Sequence, residues 1–323
     1  MILLRKQHKD DGIMATKIII DTDPGIDDAI AICMAINSPS ISVLGLTSVF
    51  GNTYGELTAY NALRLAELSD RTVIPVARGS DVPLFIPIQN LGTLVHGDDG
   101  MGNSNLPTPK GEFLSLSAAE FIAKTVHENP GEVTLLTLGP LTNLALALRI
   151  YPELSNQIKK VVIMGGVVAH PGNMTPVSEA NIARDPHAAE IVFSSGLPIV
   201  LVGLDVTEKT IITNSLLQEV FKAKSPAVEL LKKIIPAYQH FFAQYYSMNG
   251  SFFTHDPSAM AYIFRPNLFK TRKTSIFVET EGRCSGQTVA DWNNKLEKRT
   301  AVEVCLKVNS RGVLDVLKNT LTT

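Results

Sequence analysis

Cysteine is almost missing from this chain. Cys33, Cys284 and Cys305 lie far apart and in no metal-ligand spacing. An odd, scattered set argues against a disulfide framework, and a reducing cytoplasm is the simplest home. A dominant charge is missing too: 29 Lys and Arg stand against 31 Asp and Glu, for a net −2. That balance leaves no electrostatic footprint for nucleic acid or an anionic membrane. No apolar run approaches the roughly 20 residues of a membrane span. Residues 1–14, with Arg5, Lys6, Lys9, Asp10 and Asp11, lack the apolar core of a signal peptide and read as a disordered tail, with Met14 a second possible start. No Gly-x-Gly-x-x-Gly follows the first strand-like run, so an NAD-dependent oxidoreductase has no phosphate loop. With no internal repeat, low-complexity tract or linker, residues 15–323 read as one domain.

What is present is an alternation of short apolar runs with helical spacing. Strands are expected at Ile18–Ile20, Ile41–Phe50, Val73–Ala77, Val133–Leu138, Lys160–Met164 and Ile199–Leu204. Helices are expected between them, at 26–36, 54–69, 115–128, 142–148 and 188–193. This pattern predicts an α/β fold: an open, mostly parallel sheet with helices on both faces. Residues 214–248 read as helical, with Tyr238, Phe241, Phe242, Tyr245 and Tyr246 as a mainly core stripe. Another helix is expected at 258–264. A small C-terminal strand group (274–279, 288–292, 301–308) and a last helix follow. Residues 78–112 are rich in Gly and Pro and read as a long loop, which is usually functional or mobile.

Chemistry concentrates where the first strand ends. Asp21-Thr22-Asp23-Pro24-Gly25-Ile26-Asp27-Asp28 packs four carboxylates into one turn, and no Lys, Arg or His occurs between Lys17 and Arg64. Two carboxylates about 4 Å apart repel by about 4 kcal/mol at a protein-like dielectric. One local explanation has Asp23 capping the helix, Pro24 opening it, and Asp27 and Asp28 at its positive end. That leaves Asp21 beside Asp23 unexplained, which favours a divalent cation among the acids. Ligands in such sheets sit beyond the carboxyl ends of the strands, so Asn52, after the second strand, is expected to share the cleft.

The motifs then resemble one family in order. Asp21 to Ala29 looks like the N-terminal signature of the inosine–uridine nucleoside hydrolases. The likeness continues through Gly51-Asn52, Gly139-Pro140-Leu141-Thr142-Asn143, Met164-Gly165-Gly166, Glu179-Ala180-Asn181 and His255-Asp256-Pro257. It covers about residues 17–310. The resemblance implies a Rossmann-like nucleoside hydrolase fold and Ca²⁺-dependent hydrolysis of ribonucleosides to ribose and base, in nucleoside salvage. It implies a ribonucleoside as the only partner besides further copies of the chain, as homodimer or homotetramer. Carried over by position, Asp23, Asp28, Asp256 and the Leu138 carbonyl hold Ca²⁺. Asp27, Asn52, Met164, Asn173, Glu179 and Asn181 meet the ribose. Asp23 is the base that activates water, and His255 the acid that serves the leaving base. His96, Tyr245 and Tyr246 are candidates beside the base. An anionic pocket without Arg or Lys around the ribose suits the positive charge that builds on the sugar.

Two other classes are weighed. A haloacid-dehalogenase-type phosphatase also places Asp-x-Asp after its first strand, with the first Asp as nucleophile. It has no part for Asp27 and Asp28, and no later acidic motif after a strand is seen. A non-catalytic nucleoside or ribose-binding protein would keep the pocket without turnover. Uridine is the favoured substrate, because a histidine at 255 suits the pyrimidine-preferring or broad branches.

Overall fold

The computed structural model describes residues 15–322; the tail expected at 1–14 lies outside them. Strand β1 (Thr16–Thr22) opens the chain, its three isoleucines fully buried. Ile18 and Ile20 enter one core and Ile19 the other, because successive side chains leave a strand on opposite faces. Helix α1 (Ile26–Asn37) follows and is buried from Ile26 to Ile36. A helix apolar on every side has no face to give to water, and α1 is accordingly enclosed by neighbouring helices.

The alternation runs through β2 (Ile41–Ser48), α2 (Gly55–Ala66), β3 (Val76–Ala77), α3 (Thr93–His96), α4 (Ala118–Glu128), β4 (Thr134–Thr137) and α5 (Thr142–Ile150). It continues with β5 (Lys160–Met164), α6 (Ala180–Arg184), α7 (Pro186–Ser194), β6 (Ile199–Val202) and α8 (Leu204–Thr207). Next come β7 (Ile211–Ile212), α9 (Asn214–Val220), α10 (Pro226–Tyr246), β8 (Phe252–Phe253) and α11 (Asp256–Phe264). The chain closes with β9 (Phe269–Val278), β10 (Thr288–Asp291), β11 (Val302–Val308) and α12 (Ser310–Leu321).

The main sheet has nine strands in the order β10-β9-β11-β6-β5-β4-β1-β2-β3. From β11 to β3 all neighbours are parallel, while β9 and β10 add antiparallel at one edge. The C-terminal strand group is therefore an extension of this sheet, joined where β11 pairs with β6. The order reverses at β1: the chain builds outward to β2 and β3, then returns to place β4 on the other side. That reversal opens a crevice at the carboxyl ends of β1 and β4, the usual ligand site of open α/β sheets.

Three local expectations change. The strand expected at 73–77 shortens to Val76–Ala77, because Val73 is 97% exposed and has nothing to pack on. The helix expected over 214–248 breaks into α9 and α10, because Ser225 caps a new start through its bond from the Val228 amide and Pro226 takes the first turn. The long loop at 78–112 is not bare: it carries α3, which ends in His96. Among the described residues no helix is long and apolar enough to cross a membrane.

Candidate active site

The turn after β1 departs from the local capping scheme. Helix α1 begins at Ile26 with Gly25 as its cap, so neither Asp23 nor Pro24 serves the helix end. Asp28 does: its Oδ2 accepts the Gly25 amide at 2.9 Å, while Oδ1 accepts the Thr22 hydroxyl. Gly25 is required for a different reason. A Cβ there would lie 2.6 Å from Asn52 Nδ2 and 2.7 Å from His96 Nδ1, so only glycine lets both side chains close on the turn.

Asp23 is left free of the helix and fully buried. Its Oδ2 accepts the Asn52 amide at 2.7 Å, and its Oδ1 has no hydrogen-bond partner. Asn52 also donates through Nδ2 to Asp28 Oδ2 at 2.9 Å and to the Asp23 carbonyl at 3.1 Å, tying the loop after β2 to the β1–α1 turn. Asp27, Asp28 and Asp256 each bring an oxygen within 4.8 Å of the others, a group able to hold a metal ion. The resemblance implies Asp23, Asp28 and Asp256 as ligands; the oxygens that converge within 4.8 Å are those of Asp27, Asp28 and Asp256, while Asp23 Oδ2 accepts the Asn52 amide. Asp256 comes from the first turn of α11 and brings its carboxyl within 4.8 Å of that of Asp28.

Burial and mutual repulsion hold these acids toward the protonated form. Burial first, then the Asp28 charge, pushes Asp27 up to about 7 and Asp23 well above the carboxylate range. Burial, then Asp27 and Asp28, does the same to Asp256. Like charges this close cannot all ionise without a counter-ion. The donors are all oxygen, the set that suits a hard divalent cation, and the orphaned Asp23 Oδ1 is a further oxygen available to it.

This has a measurable consequence. Groups whose folded pKa is raised stabilise the fold fully below the unfolded value near 4, and that stability is lost as pH rises through the folded value. His96 and His255, lowered to about 3 and about 4 by burial, act in the opposite sense, but only below the ordinary imidazole range. Between about pH 7 and 8, where the unfolded imidazoles are mostly neutral, the carboxylates raised furthest, Asp23 and Asp256, therefore dominate. With a chelator present, Tm is expected to fall by several degrees across that window, and an added divalent cation should flatten the slope. Differential scanning calorimetry at three pH values checks both.

Above the acids lies a cleft of about 480 Å³, lined in part by Asp27, Asn52, Leu138, Met164, Asn173, Glu179 and Asn181. That volume is within the range of small-molecule sites. Asn181 Nδ2 donates to the carbonyls of Leu138 (2.7 Å) and Met164 (3.1 Å), linking the ends of β4 and β5. Glu179 caps α6: its carboxylate accepts the amides of Gly166, Asn181 and Ile182. Asn173 Oδ1 accepts the Ala180 amide at 3.0 Å.

Two histidines line the cleft. His96 Nδ1 accepts the Ile26 amide at 3.0 Å, so in the neutral ring the proton sits on Nε2, 3.9 Å from Asp27 Oδ1. His96 also stacks on Tyr238. His255 Nδ1 pairs with the Thr207 hydroxyl at 3.0 Å, which leaves Nε2 for a ligand. Tyr246 lines the cleft, but Tyr245 does not: it is 53% exposed, stacks on Phe241, and borders a separate groove beside α3. Adjacent residues on a helix point about 100° apart, so only one of the two can reach.

Two cleft-lining side chains escape the sequence reading. Tyr238, assigned to the core stripe, is buried, yet its hydroxyl donates to Asp27 Oδ2 at 3.2 Å. Arg184 overturns the expectation that no Arg or Lys enters the pocket: it lines the cleft with Nη1 3.5 Å from Asp23 Oδ2. Its signal was available, since Arg184 lies three residues after Asn181 and so shares its helix face. Asp21, by contrast, turns away from the cleft. Its Oδ1 accepts Thr47 and Asn143, and it is fully buried, so a phosphatase of the Asp-x-Asp type would have no accessible nucleophile.

Comparison with known proteins agrees with this geometry. The family model for "Inosine-uridine preferring nucleoside hydrolase" matches residues 18–315. A protein named probable uridine nucleosidase 2, from Arabidopsis thaliana, is 40% identical over 313 residues, covering 94% of this chain and 97% of its own. A pyrimidine-specific ribonucleoside hydrolase of Escherichia coli is 39% identical, covering 95% and 99%. The solved structure of a plant nucleoside hydrolase superposes with a TM-score of 0.91 at 33% identity, covering 95% of this chain and 99% of that one. The chain belongs to the inosine-uridine preferring nucleoside hydrolase family.

Proposed function

We propose that this protein hydrolyses the N-glycosidic bond of ribonucleosides, uridine first among them, with Ca²⁺ as its resident ion. The observation that carries this is the buried carboxylate group at the β1–β4 crevice, roofed by a cleft whose polar groups suit a ribose. Asp23, Asp28, Asp256 and the Leu138 carbonyl would hold the ion. Bound there, Ca²⁺ supplies a Lewis acid that orients a sugar diol and makes a nearby water more acidic.

The chain's own residues then divide the work. Asp27, Asn52, Asn173, Glu179 and Asn181 hold the ribose hydroxyls, with Met164 against the sugar. Asp23 removes a proton from the attacking water as the bond from the anomeric carbon to the base nitrogen breaks. The electron pair of that bond leaves with the base, and the surrounding carboxylates stabilise the positive charge that develops on the sugar. His255 gives the base a proton, and His96 and Tyr246 border the base. The names of the relatives support the pyrimidine preference. The free thiols of Cys33, Cys284 and Cys305 fit a role in cytoplasmic nucleoside salvage.

The test is a panel of uridine, cytidine, inosine, xanthosine and adenosine assayed for ribose release, with and without chelator. Uridine is expected to turn over fastest, and chelator to stop all of them. Ribose binding with no reducing sugar from any nucleoside would leave a binding protein instead. For His255→Ala, turnover of uridine should fall by about 10²-fold or more, the usual scale of general-acid loss. An activated nitrophenyl riboside, which needs no proton, should lose far less. Equal losses would remove His255 as the acid.

A further inference from the structure

Among the described residues, Arg184 is the only Lys or Arg that is buried, at 7% exposure. A guanidinium taken out of water is costly unless paired, so its place next to the assigned base calls for a cause. It ends the short helix α6, which presents Asn181 and Arg184 to the same cleft. Its Nη1 lies 3.5 Å from Asp23 Oδ2 and 3.5 Å from Asn52 Oδ1, and its Nε is 3.5 Å from the Asn90 carbonyl. Gly92 makes the space: a Cβ there would stand 3.0 Å from Arg184 Nη2 and 2.8 Å from Asn52 Oδ1.

The consequence falls on Asp23. Its Oδ2 is held from two sides, by the Asn52 amide and by the guanidinium, while its Oδ1 has no protein partner. The carboxylate is thereby fixed in rotation with one oxygen engaged and the other available. At the same time a fixed positive charge stands within the acidic pocket of Asp23, Asp27, Asp28, Asp256 and Glu179, where it opposes any cation that binds.

We propose that Arg184 is a positioning residue that orients the Asp23 carboxylate and, as a built-in counter-charge, lowers the affinity of the acidic cluster for its metal ion. This rests on the reading of the cleft as a Ca²⁺-dependent nucleosidase. Arg184 acts through Asp23 and Asn52, so its loss should change turnover more than apparent substrate affinity.

The experiment compares wild type, Arg184→Met and Arg184→Lys, each freed of metal by chelator and titrated with Ca²⁺ by calorimetry, then assayed on uridine. Arg184→Met is expected to bind Ca²⁺ about tenfold more tightly, because a nearby like charge is gone. Its kcat should fall about tenfold, with KM within about threefold of wild type. Arg184→Lys keeps the charge, so Ca²⁺ affinity should stay within about twofold. Its compact ammonium cannot span Asp23 and Asn52 together, and kcat should still fall at least about threefold. Unchanged or weaker Ca²⁺ binding by Arg184→Met overturns the counter-charge. Wild-type kcat in either variant overturns the positioning role, and Arg184→Lys decides this alone should the Met variant fail to fold. Wild-type protein that binds no Ca²⁺, or releases no ribose, overturns the parent reading and this inference with it. Wild type that does both while Arg184→Met matches it overturns this inference alone.

Discussion

Replacing Asp23 with Asn is expected to cut kcat on uridine by roughly 10³-fold while the protein stays folded. Asn has the shape to keep the bond from the Asn52 amide to Oδ, so the turn between β1 and α1 should survive. What it cannot do is take a proton from water. The stability of the metal-free protein should move the other way. Asp23 is fully buried and held well above the ordinary carboxylate range by burial and by Asp28, so a neutral side chain removes the cost of keeping that group protonated, less the pairing that Asp23 gives Arg184 at 3.5 Å. Loss of activity together with an equal or higher Tm in chelator would identify a group kept for chemistry at the expense of the fold. Near-normal turnover would refute Asp23 as the base.

Asp256→Asn is expected to have the next largest effect, on metal affinity. Asp256 reaches the cluster from α11, far along the chain from Asp27 and Asp28, so it brings a second helix to the site. Removing one carboxylate charge in direct contact with a divalent ion should weaken binding by roughly a hundredfold, since affinity follows ligand charge count. Turnover at limiting Ca²⁺ should fall in step, and a large excess of Ca²⁺ should restore part of it. An unchanged calorimetric dissociation constant would remove Asp256 from the ligand set.

Much of this site was legible in the sequence because its residues sit at strand ends. Asp23 follows β1, Asn52 follows β2, Leu138 follows β4 and Met164 ends β5. An alternating βα pattern alone brings those four positions to one edge of one sheet. The contiguous acids were legible for the same reason: a strand, a three-residue turn and a helix cannot separate them far. Arg184 and Tyr238 were hidden because their roles depend on how α6 and α10 approach β1, which no local pattern states. Tyr238 looked like core and is core by burial, yet its hydroxyl ends on Asp27. The choice between Tyr245 and Tyr246 turned on helix rotation, which a run of five aromatics does not define. The C-terminal strands were seen individually, but their attachment through β11 to β6 is a long-range pairing. The break between α9 and α10 was visible in Ser225-Pro226, a capping residue followed by a first-turn proline.

Every role proposed for this cleft depends on the buried carboxylates being a metal seat and not a set of shared protons. The most direct measurement is a Ca²⁺ titration of chelated wild-type protein, followed by calorimetry and by ribose release from uridine in the same samples. One ion is expected per chain, with protons released on binding as the raised carboxylates ionise, and with turnover rising in proportion to occupancy. Full ribose release in chelator, with no heat of Ca²⁺ binding and no proton release, would contradict it.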